Sequence, residues 1–146
     1  MRIKAFLDTN VLLDLLMEDR HSAAASSKVL ESVVSHRAEG VIATQSFIDA
    51  AYIYLKSKPQ EHQKFINFVL FLSNRFNIHS VDSFAIYDAC NSFKGDFEDD
   101  ALFSVARATC CDVFITSDKS FISRYTGADP HILVMTPEEY IERATA

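Results

Sequence analysis

The sequence has 146 residues, which is long enough for one domain with a hydrophobic core and too short for two ordinary ones, so we expect a single domain over residues 1–146. Hydrophobic residues make up 49% of the chain while Gly and Pro number only three each, which excludes a disordered or low-complexity protein. The net charge of −6 argues against nucleic-acid binding through a broad basic surface, but acids that bind divalent cations would account for part of that charge.

Charged residues interrupt the apolar N-terminal segment four times within its first 14 residues, so we expect neither a signal peptide nor a membrane span. The three cysteines contain no CxxC pair and form a poor disulfide framework. Two of them are the adjacent Cys110 and Cys111, with no histidine at metal-ligand spacing, and Cys90 stands alone. These features indicate a soluble, cytoplasmic protein whose cysteines are structural.

Apolar patterns along the chain predict five strands that alternate with helices. The predicted strands are 3–7, 41–44, 78–81, 112–116 and 132–135. The predicted helices are 10–17, 21–37, 46–58, 60–76, 83–93, 97–109, 118–124 and 137–144. This alternation predicts an α/β fold, a three-layer α/β/α sandwich with a five-stranded, mostly parallel sheet, right-handed crossovers and an active site at the carboxyl ends of the strands.

Several positions within these elements carry specific expectations. Gly40 is expected to end the second helix, because glycine readily adopts the left-handed conformation found there. The helix over 46–58 has an apolar face formed by Phe47, Ile48, Ala51, Tyr52 and Leu55. The helix over 60–76 has an apolar stripe formed by Phe65, Phe68, Val69 and Leu72. For this stripe, packing in the core is favoured over a groove for a partner.

Two acids follow predicted strands at the expected active-site edge. Asp8 comes directly after the first strand, and Asp118 comes two residues after the fourth. Because open α/β sheets bind ligands at the carboxyl ends of their strands, these acids are expected to face a common site. A role as the N-terminal cap of a helix would equally explain either acid considered separately.

The acidic segment GDFEDDALFSVARA adds a third candidate. Asp99 lies in line with Leu102 and Ala106, on the helix side expected to face the core, whereas Asp100 points more toward the other side. A carboxylate at the inward edge of a helix needs a partner, and a bound cation is one. The alternative is a solvated first turn that complements the helix dipole, which explains at least Glu98.

A fourth candidate is Asp49, which interrupts an apolar stretch one turn into the helix that follows the second strand. Its position after a strand end favours the active-site edge, although an exposed helical acid is the alternative. The five histidines are scattered without spaced partners, so none is assigned a role.

These acids together resemble the motifs of the PIN domains, a family that includes the VapC-type toxins of toxin–antitoxin pairs. FLDTNVLLDLL resembles the opening strand and turn, with the first acid at Asp8 and a companion Asn10. TQSFIDAAYIY resembles the segment of the second acid, usually Glu in the family and here Asp49. DFEDDALFSVARATCCDVFITSDKSF resembles the third and fourth motifs, with acids at Asp99 and Asp118. The resemblance spans nearly the whole chain.

The resemblance implies a ribonuclease that depends on Mg²⁺ or Mn²⁺ and uses Asp8, Asp49, Asp99 and Asp118 in catalysis. Asp8, Asp99 and Asp118 would ligate metal directly or through water, while Asp49 and Asp96 would complete an acidic pocket. One or two bound ions would lower the pKa of a water molecule and aim it at the scissile phosphorus. The products implied by the family carry a 5′ phosphate and a 3′ hydroxyl.

Two departures from the family pattern affect this assignment. Asp49 is shorter than Glu by one methylene, so its contact with metal is expected to pass through water. The doubled acid leaves Asp99 or Asp100 as the third site residue, and the spacing to the fourth motif favours Asp99. Asn10 and Thr116 would orient carboxylates or water, although turn and capping roles explain them equally well.

The same resemblance implies an RNA substrate, a homodimer and an antitoxin whose C-terminal segment lies across the acidic pocket, often presenting an Arg. Lys119 and Arg124, beside Asp118, would reach the RNA backbone or form a solvated helix face. A non-catalytic PIN-like binding domain is a second interpretation, disfavoured by the retained acids. A haloacid-dehalogenase-type phosphohydrolase is a third, but it requires an acid two residues after the first, where Asn10 stands.

Overall fold

Residues 2–144 are described by the computed structural model, in which one five-stranded sheet has helices on both faces. The strands are β1 Ile3–Leu7, β2 Ala38–Ala43, β3 Asn77–His79, β4 Val113–Ile115 and β5 Leu133–Met135. The helices are α1 Thr9–Leu16, α2 Ala23–Val34, α3 Thr44–Ser57, α4 His62–Ser73, α5 Ser83–Asn91, α6 Phe97–Ala108, α7 Lys119–Tyr125 and α8 Pro137–Ala144, with a 3₁₀ turn at Pro59–Glu61. The strand order is β3–β2–β1–β4–β5 and all pairs are parallel, which confirms the predicted α/β/α fold.

The sheet separates two hydrophobic cores. Ala5 and Leu7 of β1 belong to the core formed with α1 to α4 and α8, whereas Phe6 faces the core formed with α5 to α7. In the second core the Phe114 ring centroid lies 4.7 Å from that of Phe6 and 4.4 Å from that of Phe121. Because both faces of the sheet are covered, Ala5, Phe6 and Leu7 of the central strand β1 are all fully buried.

The second strand begins earlier than the apolar pattern indicated. β2 starts at Ala38, so the prediction that Gly40 ends the preceding helix is wrong. A Cβ atom at Gly40 would stand 2.2 Å from Cε2 of Phe76, so the packing of that ring requires glycine within the strand. The left-handed residue after α2 is His36 instead, with a φ of 63°.

The apolar face predicted for α3 is divided between core and surface. Phe47 and Tyr54 are buried, whereas Ile48 and Tyr52 are 65% and 69% exposed. Because a helix has about 3.6 residues per turn, burying positions 47, 50 and 54 leaves positions 48 and 52 on the flank. The predicted single face is therefore wrong at Ile48 and Tyr52.

The apolar stripe of α4 packs into the core, as the sequence predicted. Phe65 and Leu72 are buried, and Phe68 and Val69 pack against the same core while remaining partly exposed. The helix is shorter than expected, because it begins after the 3₁₀ turn and ends at Ser73.

The helices formed by residues 2–144 include none that is long and apolar enough to cross a membrane. All three thiols are free, with Cys111 buried and the other two exposed.

Candidate active site

Two neighbouring strands end side by side and bring the first site residues together. β1 and β4 pair in parallel with Leu7 opposite Ile115, and Asp8 N donates to Ile115 O at 3.0 Å. The residues that follow are in direct contact, since Thr116 Oγ1 donates to Asp8 Oδ2 at 2.9 Å. Asp118 follows two residues later, so both strand-end acids lie at the carboxyl edge of the sheet.

A cleft of about 600 Å³, which we call the acidic cleft, opens at this edge. Its acids are Asp8, Asp49, Glu98, Asp99 and Asp118. Its other lining residues are the polar Thr9 and Asn10 and the apolar Leu13, Ile48, Tyr52 and Ile53. The structure therefore brings all four predicted catalytic aspartates to one cleft, together with a fifth acid.

A hydrogen-bond network joins the two strand ends through Thr116, which is fully buried. Besides donating to Asp8, Thr116 Oγ1 accepts from Asn10 Nδ2 at 3.0 Å and from Asp118 N at 3.1 Å. Asn10 Nδ2 also reaches Asp8 Oδ2 at 3.2 Å, and Asn10 Oδ1 accepts from Ser117 N at 3.0 Å. Asn10 and Thr116 thus restrict the orientation of the Asp8 carboxylate.

Asp8 and Asp118 also cap helices. The capping role considered for each acid is therefore present, and it is compatible with a place in the acidic cleft. Asp8 Oδ1 accepts from Thr9 N at 2.8 Å at the start of α1. Asp118 Oδ1 accepts from the backbone N–H groups of Ser120 and Phe121 at 2.9 Å and 3.2 Å at the start of α7. Within residues 2–144 nothing donates to the second oxygen of Asp118, which leaves it for a ligand.

The doubled acid of α6 is divided between the cleft and the core. Asp99 lines the cleft, and its Oδ2 accepts from Arg124 Nη2 at 2.8 Å. Asp100 is only 2% exposed, and it accepts hydrogen bonds from Lys94 N and the Tyr125 hydroxyl. Asp100 is therefore the acid that faces the core, so the prediction that Asp99 occupies the inward side of the helix is wrong. Asp99 is the acid of this pair that lines the cleft.

Asp96 is not among the residues that line the acidic cleft. It is exposed and caps α6, where its Oδ1 accepts from Asp99 N at 3.1 Å. The helix begins only after Asp96, which therefore stands at the N-cap position of α6. Its position corresponds to a cap and not to a member of the pocket.

Asp49 and Glu98 face each other across the cleft from α3 and α6. Asp49 Oδ1 accepts a hydrogen bond from Gln45 Nε2 at 2.9 Å. When Asp49 and Glu98 are both ionised, the buried Oδ2 of Asp49 accepts no hydrogen bond from residues 2–144. The pKa of Glu98 is raised to about 7, mainly because its protonated form can donate a hydrogen bond to Asp49 and secondly because of burial. Glu98 is exposed, as expected for a solvated first turn, but it also lines the cleft, which the sequence did not predict.

The surroundings of Asp8 disfavour the charged form of its carboxylate. Burial raises the pKa of Asp8 to about 6, against hydrogen bonds from Thr116 and the start of α1, and the charges of Asp99 and Asp118 raise it further. Burial also raises the pKa of Asp99, against the hydrogen bond from Arg124. Such mutual repulsion is typical of carboxylates arranged to bind a cation.

The chemistry of the acidic cleft fits a hard divalent cation. The charged groups that line it are carboxylates, the donors that Mg²⁺ and Mn²⁺ prefer. A buried carboxylate oxygen without a partner, as at Asp49, is costly unless a cation or donor reaches it. Among the described residues, no three acidic, histidine or cysteine side chains already stand in a metal-binding arrangement, so ion binding would require side chains such as Asp99 to turn.

Comparisons with known proteins agree with this fold. The chain is 26% identical to ribonuclease VapC1 of Aquifex aeolicus (strain VF5) over 145 residues, which is 96% of this chain and 94% of that protein. VapC20 of Mycobacterium tuberculosis, a sarcin-ricin loop cleaving toxin, superposes with a TM-score of 0.65 at 13% identity over 82% of this chain and 93% of that chain. VapBC2 from Rickettsia felis, bound to a DNA fragment from their promoter, gives a TM-score of 0.65 at 17% identity over 92% and 98% of the two chains.

A family model for the PIN domain matches residues 4–120. The matched segment begins in β1, ends in α7 and contains the four aspartates that line the acidic cleft. The resemblance identified from the sequence motifs is confirmed. This chain therefore belongs to the PIN-domain family.

Proposed function

We propose that this chain is a metal-dependent endoribonuclease and the toxin of a type II toxin–antitoxin pair. The observation that carries the proposal is the convergence of Asp8, Asp49, Asp99 and Asp118 on one cleft at the carboxyl edge of a parallel sheet. Similarity to ribonuclease VapC1 over 96% of the chain supports RNA as the substrate class.

The proposed cofactor is Mg²⁺ or Mn²⁺, held by Asp8, Asp99 and Asp118 directly or through water. When bound, such an ion lowers the pKa of a water molecule and neutralises charge on the phosphate and the leaving oxygen. Asp49 is too short to replace the family's Glu directly and acts through water, while the neighbouring Glu98 supplies a longer carboxylate on that side.

Thr116 and Asn10 are positioning residues for the first acid in this proposal. Their hydrogen bonds of 2.9 Å and 3.2 Å to Asp8 Oδ2 hold the carboxylate toward the cleft before any ligand arrives. Asn10 is itself held by Ser117 N and is neutral, so the second acid that a haloacid-dehalogenase mechanism requires is absent from this position.

The proposed protein partner is an antitoxin segment that lies across the acidic cleft. Ile48, Tyr52 and Ile53 are 65%, 69% and 45% exposed and border the acids, so a segment with a cationic side chain flanked by apolar ones would match both features. The similarity to VapC toxins supports an antitoxin as the source of that segment.

The proposed homodimer would use the aromatic side chains exposed on α5 and the segment leading into α6. Phe84, Tyr87, Phe93 and Phe97 are 64%, 67%, 64% and 43% exposed. Light scattering of purified protein is expected to give a dimer that Tyr87→Ser weakens, whereas Tyr52→Ser, exposed on a different helix, leaves the mass unchanged. A wild-type monomer at micromolar concentration would remove this part of the proposal.

The nuclease activity is tested by incubating total RNA with purified protein in Mg²⁺, with and without EDTA. Asp8→Asn and Asp99→Asn are expected to abolish cleavage. Asp112→Asn is the matched control, because Asp112 precedes β4 at the opposite edge of the sheet, where its Oδ2 accepts from Lys4 N at 2.8 Å. Equal activity in the wild type and Asp8→Asn would exclude the assignment. Metal binding without RNA cleavage would favour the non-catalytic binding domain.

A further inference from the structure

Within residues 2–144, one arginine pairs with an acid of the acidic cleft. Of the ion pairs formed within residues 2–144, the one that involves a cleft acid joins Arg124 Nη2 to Asp99 Oδ2 at 2.8 Å. Both groups are partly buried, with 27% and 17% of their side chains exposed. Asp99 is also a proposed metal ligand, so the guanidinium and a divalent ion would compete for the same carboxylate.

The guanidinium is held in place by contacts other than this ion pair. Arg124 Nε donates to Ser120 O at 3.3 Å, and the guanidinium carbon lies 5.7 Å from the centre of the Tyr125 ring. Nη1 has no hydrogen-bond acceptor within residues 2–144. It lies next to glycine backbone, 3.8 Å from where a Cβ of Gly95 would stand, so no side chain from that position covers it.

Arg124 therefore has a hydrogen-bond donor, Nη1, that no acceptor within residues 2–144 occupies. The guanidinium keeps its charge at any pH relevant to proteins, and a partly buried cation needs an anionic partner. If Asp99 turns to a divalent ion, Arg124 loses the carboxylate and both of its terminal nitrogens are free. The anion that enters the cleft with an RNA substrate is the phosphate, whose geometry matches the guanidinium fork.

Lys119 does not share this position, although it lies on the same helix. It lines a different cleft together with Arg20 and Glu138, and within residues 2–144 it forms no ion pair with an acid of the acidic cleft. The sequence alone left Lys119 and Arg124 equivalent as candidates for contact with RNA. The structure separates them, because only Arg124 contacts a proposed metal ligand.

We propose that Arg124 is a substrate-binding residue that exchanges Asp99 for an RNA phosphate oxygen when a divalent ion occupies the acidic cleft. The inference rests on the proposed ribonuclease function and deepens it. Its consequence is that RNA binding through Arg124 depends on metal: without metal the guanidinium stays paired with Asp99, and with metal it becomes available to the phosphate.

The test measures binding of a fluorescein-labelled single-stranded RNA of mixed sequence by anisotropy, in EDTA and in Ca²⁺. Arg124→Gln is expected to weaken binding in Ca²⁺ by about tenfold or more, the effect of losing one charge-assisted hydrogen bond, and to change binding in EDTA little. Arg124→Lys should retain part of the affinity, because it keeps the charge but not the fork. Lys119→Gln is the matched control and is expected to have the same small effect in both buffers.

A second readout separates phosphate binding from a merely orienting role. Arg124→Gln is expected to bind Mn²⁺ as tightly as the wild type or more tightly, measured as a thermal shift, because a competitor for Asp99 has been removed. Weaker Mn²⁺ binding combined with unchanged RNA affinity would overturn the inference. So would equal RNA affinities of Arg124→Gln and the wild type in Ca²⁺, or a wild type that binds no RNA. Binding through Arg124 without cleavage in Mg²⁺ would instead leave the inference standing and refute the nuclease function.

Discussion

At the residue scale, Asp118 combines capping and proposed metal binding in one carboxylate, with one oxygen available for each. Asp118→Asn keeps an oxygen for the backbone of α7 but removes the charge. We expect RNA cleavage to fall on the order of 100-fold, the effect of losing a few kcal/mol of electrostatic stabilisation. The free energy of unfolding should change by less than about 0.5 kcal/mol, whereas Asp118→Ala should lose roughly 1 kcal/mol in addition.

Parallel measurements of RNA cleavage and urea unfolding on the two variants check this separation. If Asp118→Asn cleaves RNA at the wild-type rate, the charge of Asp118 has no catalytic role. If Asp118→Ala is as stable as the wild type, the cap contributes nothing to the folded state.

Because its pKa is raised in the folded state, Asp8 lowers the free energy of unfolding as pH rises. Its pKa is raised from 3.8 to about 6 on folding, so the proton is bound more tightly in the folded state. The loss in the free energy of unfolding that Asp8 causes is absent below pH 3.8, grows between pH 3.8 and about 6, and is complete above that range. In EDTA, Asp8→Asn should therefore gain stability relative to the wild type as pH rises through this window.

The gain is at most about 3 kcal/mol, the free-energy equivalent of the pKa shift. The amide introduced by Asp8→Asn also meets the donor Asn10 Nδ2 where Asp8 Oδ2 accepted a hydrogen bond, but this contact lowers the stability of the variant equally at every pH and does not change the gain. Urea unfolding of both proteins at pH 4 and pH 7.5 measures the difference. A difference that is the same at both pH values would contradict the assigned environment of Asp8.

The site residues differ in how far the sequence could identify them. Asp8 and Asp118 follow strands, and parallel pairing alone determines that such residues share an edge. Asp100 and Glu98 could not be assigned in this way, because their roles depend on partners distant in sequence. Asp100 accepts from the buried hydroxyl of Tyr125, and Glu98 on α6 faces Asp49 on α3.

At the scale of elements, α6 and α7 are connected by the buried pair of Asp100 and Tyr125. The hydroxyl of Tyr125 donates to Asp100, and burial together with that carboxylate raises the pKa of Tyr125. Tyr125→Phe keeps the stacked ring but leaves a buried carboxylate with one donor fewer, so we expect a loss of about 1–3 kcal/mol in the free energy of unfolding. Tyr52→Phe, at a side chain that is 69% exposed and lies outside the proposed dimer contact, is the control and should be neutral.

Chemical denaturation at pH 7.5 measures both variants. Because Asp99 and Arg124 are the immediate neighbours of the pair in sequence, RNA cleavage by Tyr125→Phe at saturating Mg²⁺ should fall together with stability. A variant as stable as the wild type would contradict the assigned role of the pair.

The order and type of the elements follow from local sequence patterns, whereas their ends and faces do not. Apolar periodicity was sufficient to identify the strands and to place Phe65 and Leu72 of α4 in the core. It misplaced the start of β2, because glycine normally ends helices, while Gly40 here makes room for the ring of Phe76. It also misassigned Ile48 and Tyr52, since an apolar side chain that borders an open cleft cannot be distinguished by periodicity from one that packs in the core.

At the scale of the whole molecule, the net charge of −6 and the concentration of acids in one cleft oppose the approach of RNA. A divalent cation reverses the local sign, and release of Arg124 from Asp99 would add a second positive contribution. Cation binding and RNA binding should therefore be coupled.

Mn²⁺ should stabilise the whole molecule, because the ion relieves repulsion among the acids and binds the folded state alone. At a concentration 100 times its Kd, a ligand adds about 2.7 kcal/mol to the free energy of unfolding, which for a chain of this size raises Tm by roughly 5–10 °C. Asp8→Asn and Asp99→Asn should lose most of the shift, while Asp112→Asn, at the opposite edge of the sheet, should keep it. Melting curves with MnCl₂ and then excess EDTA measure the effect and its reversal. A shift of equal size in Asp8→Asn and the wild type would place the ion elsewhere than in the acidic cleft.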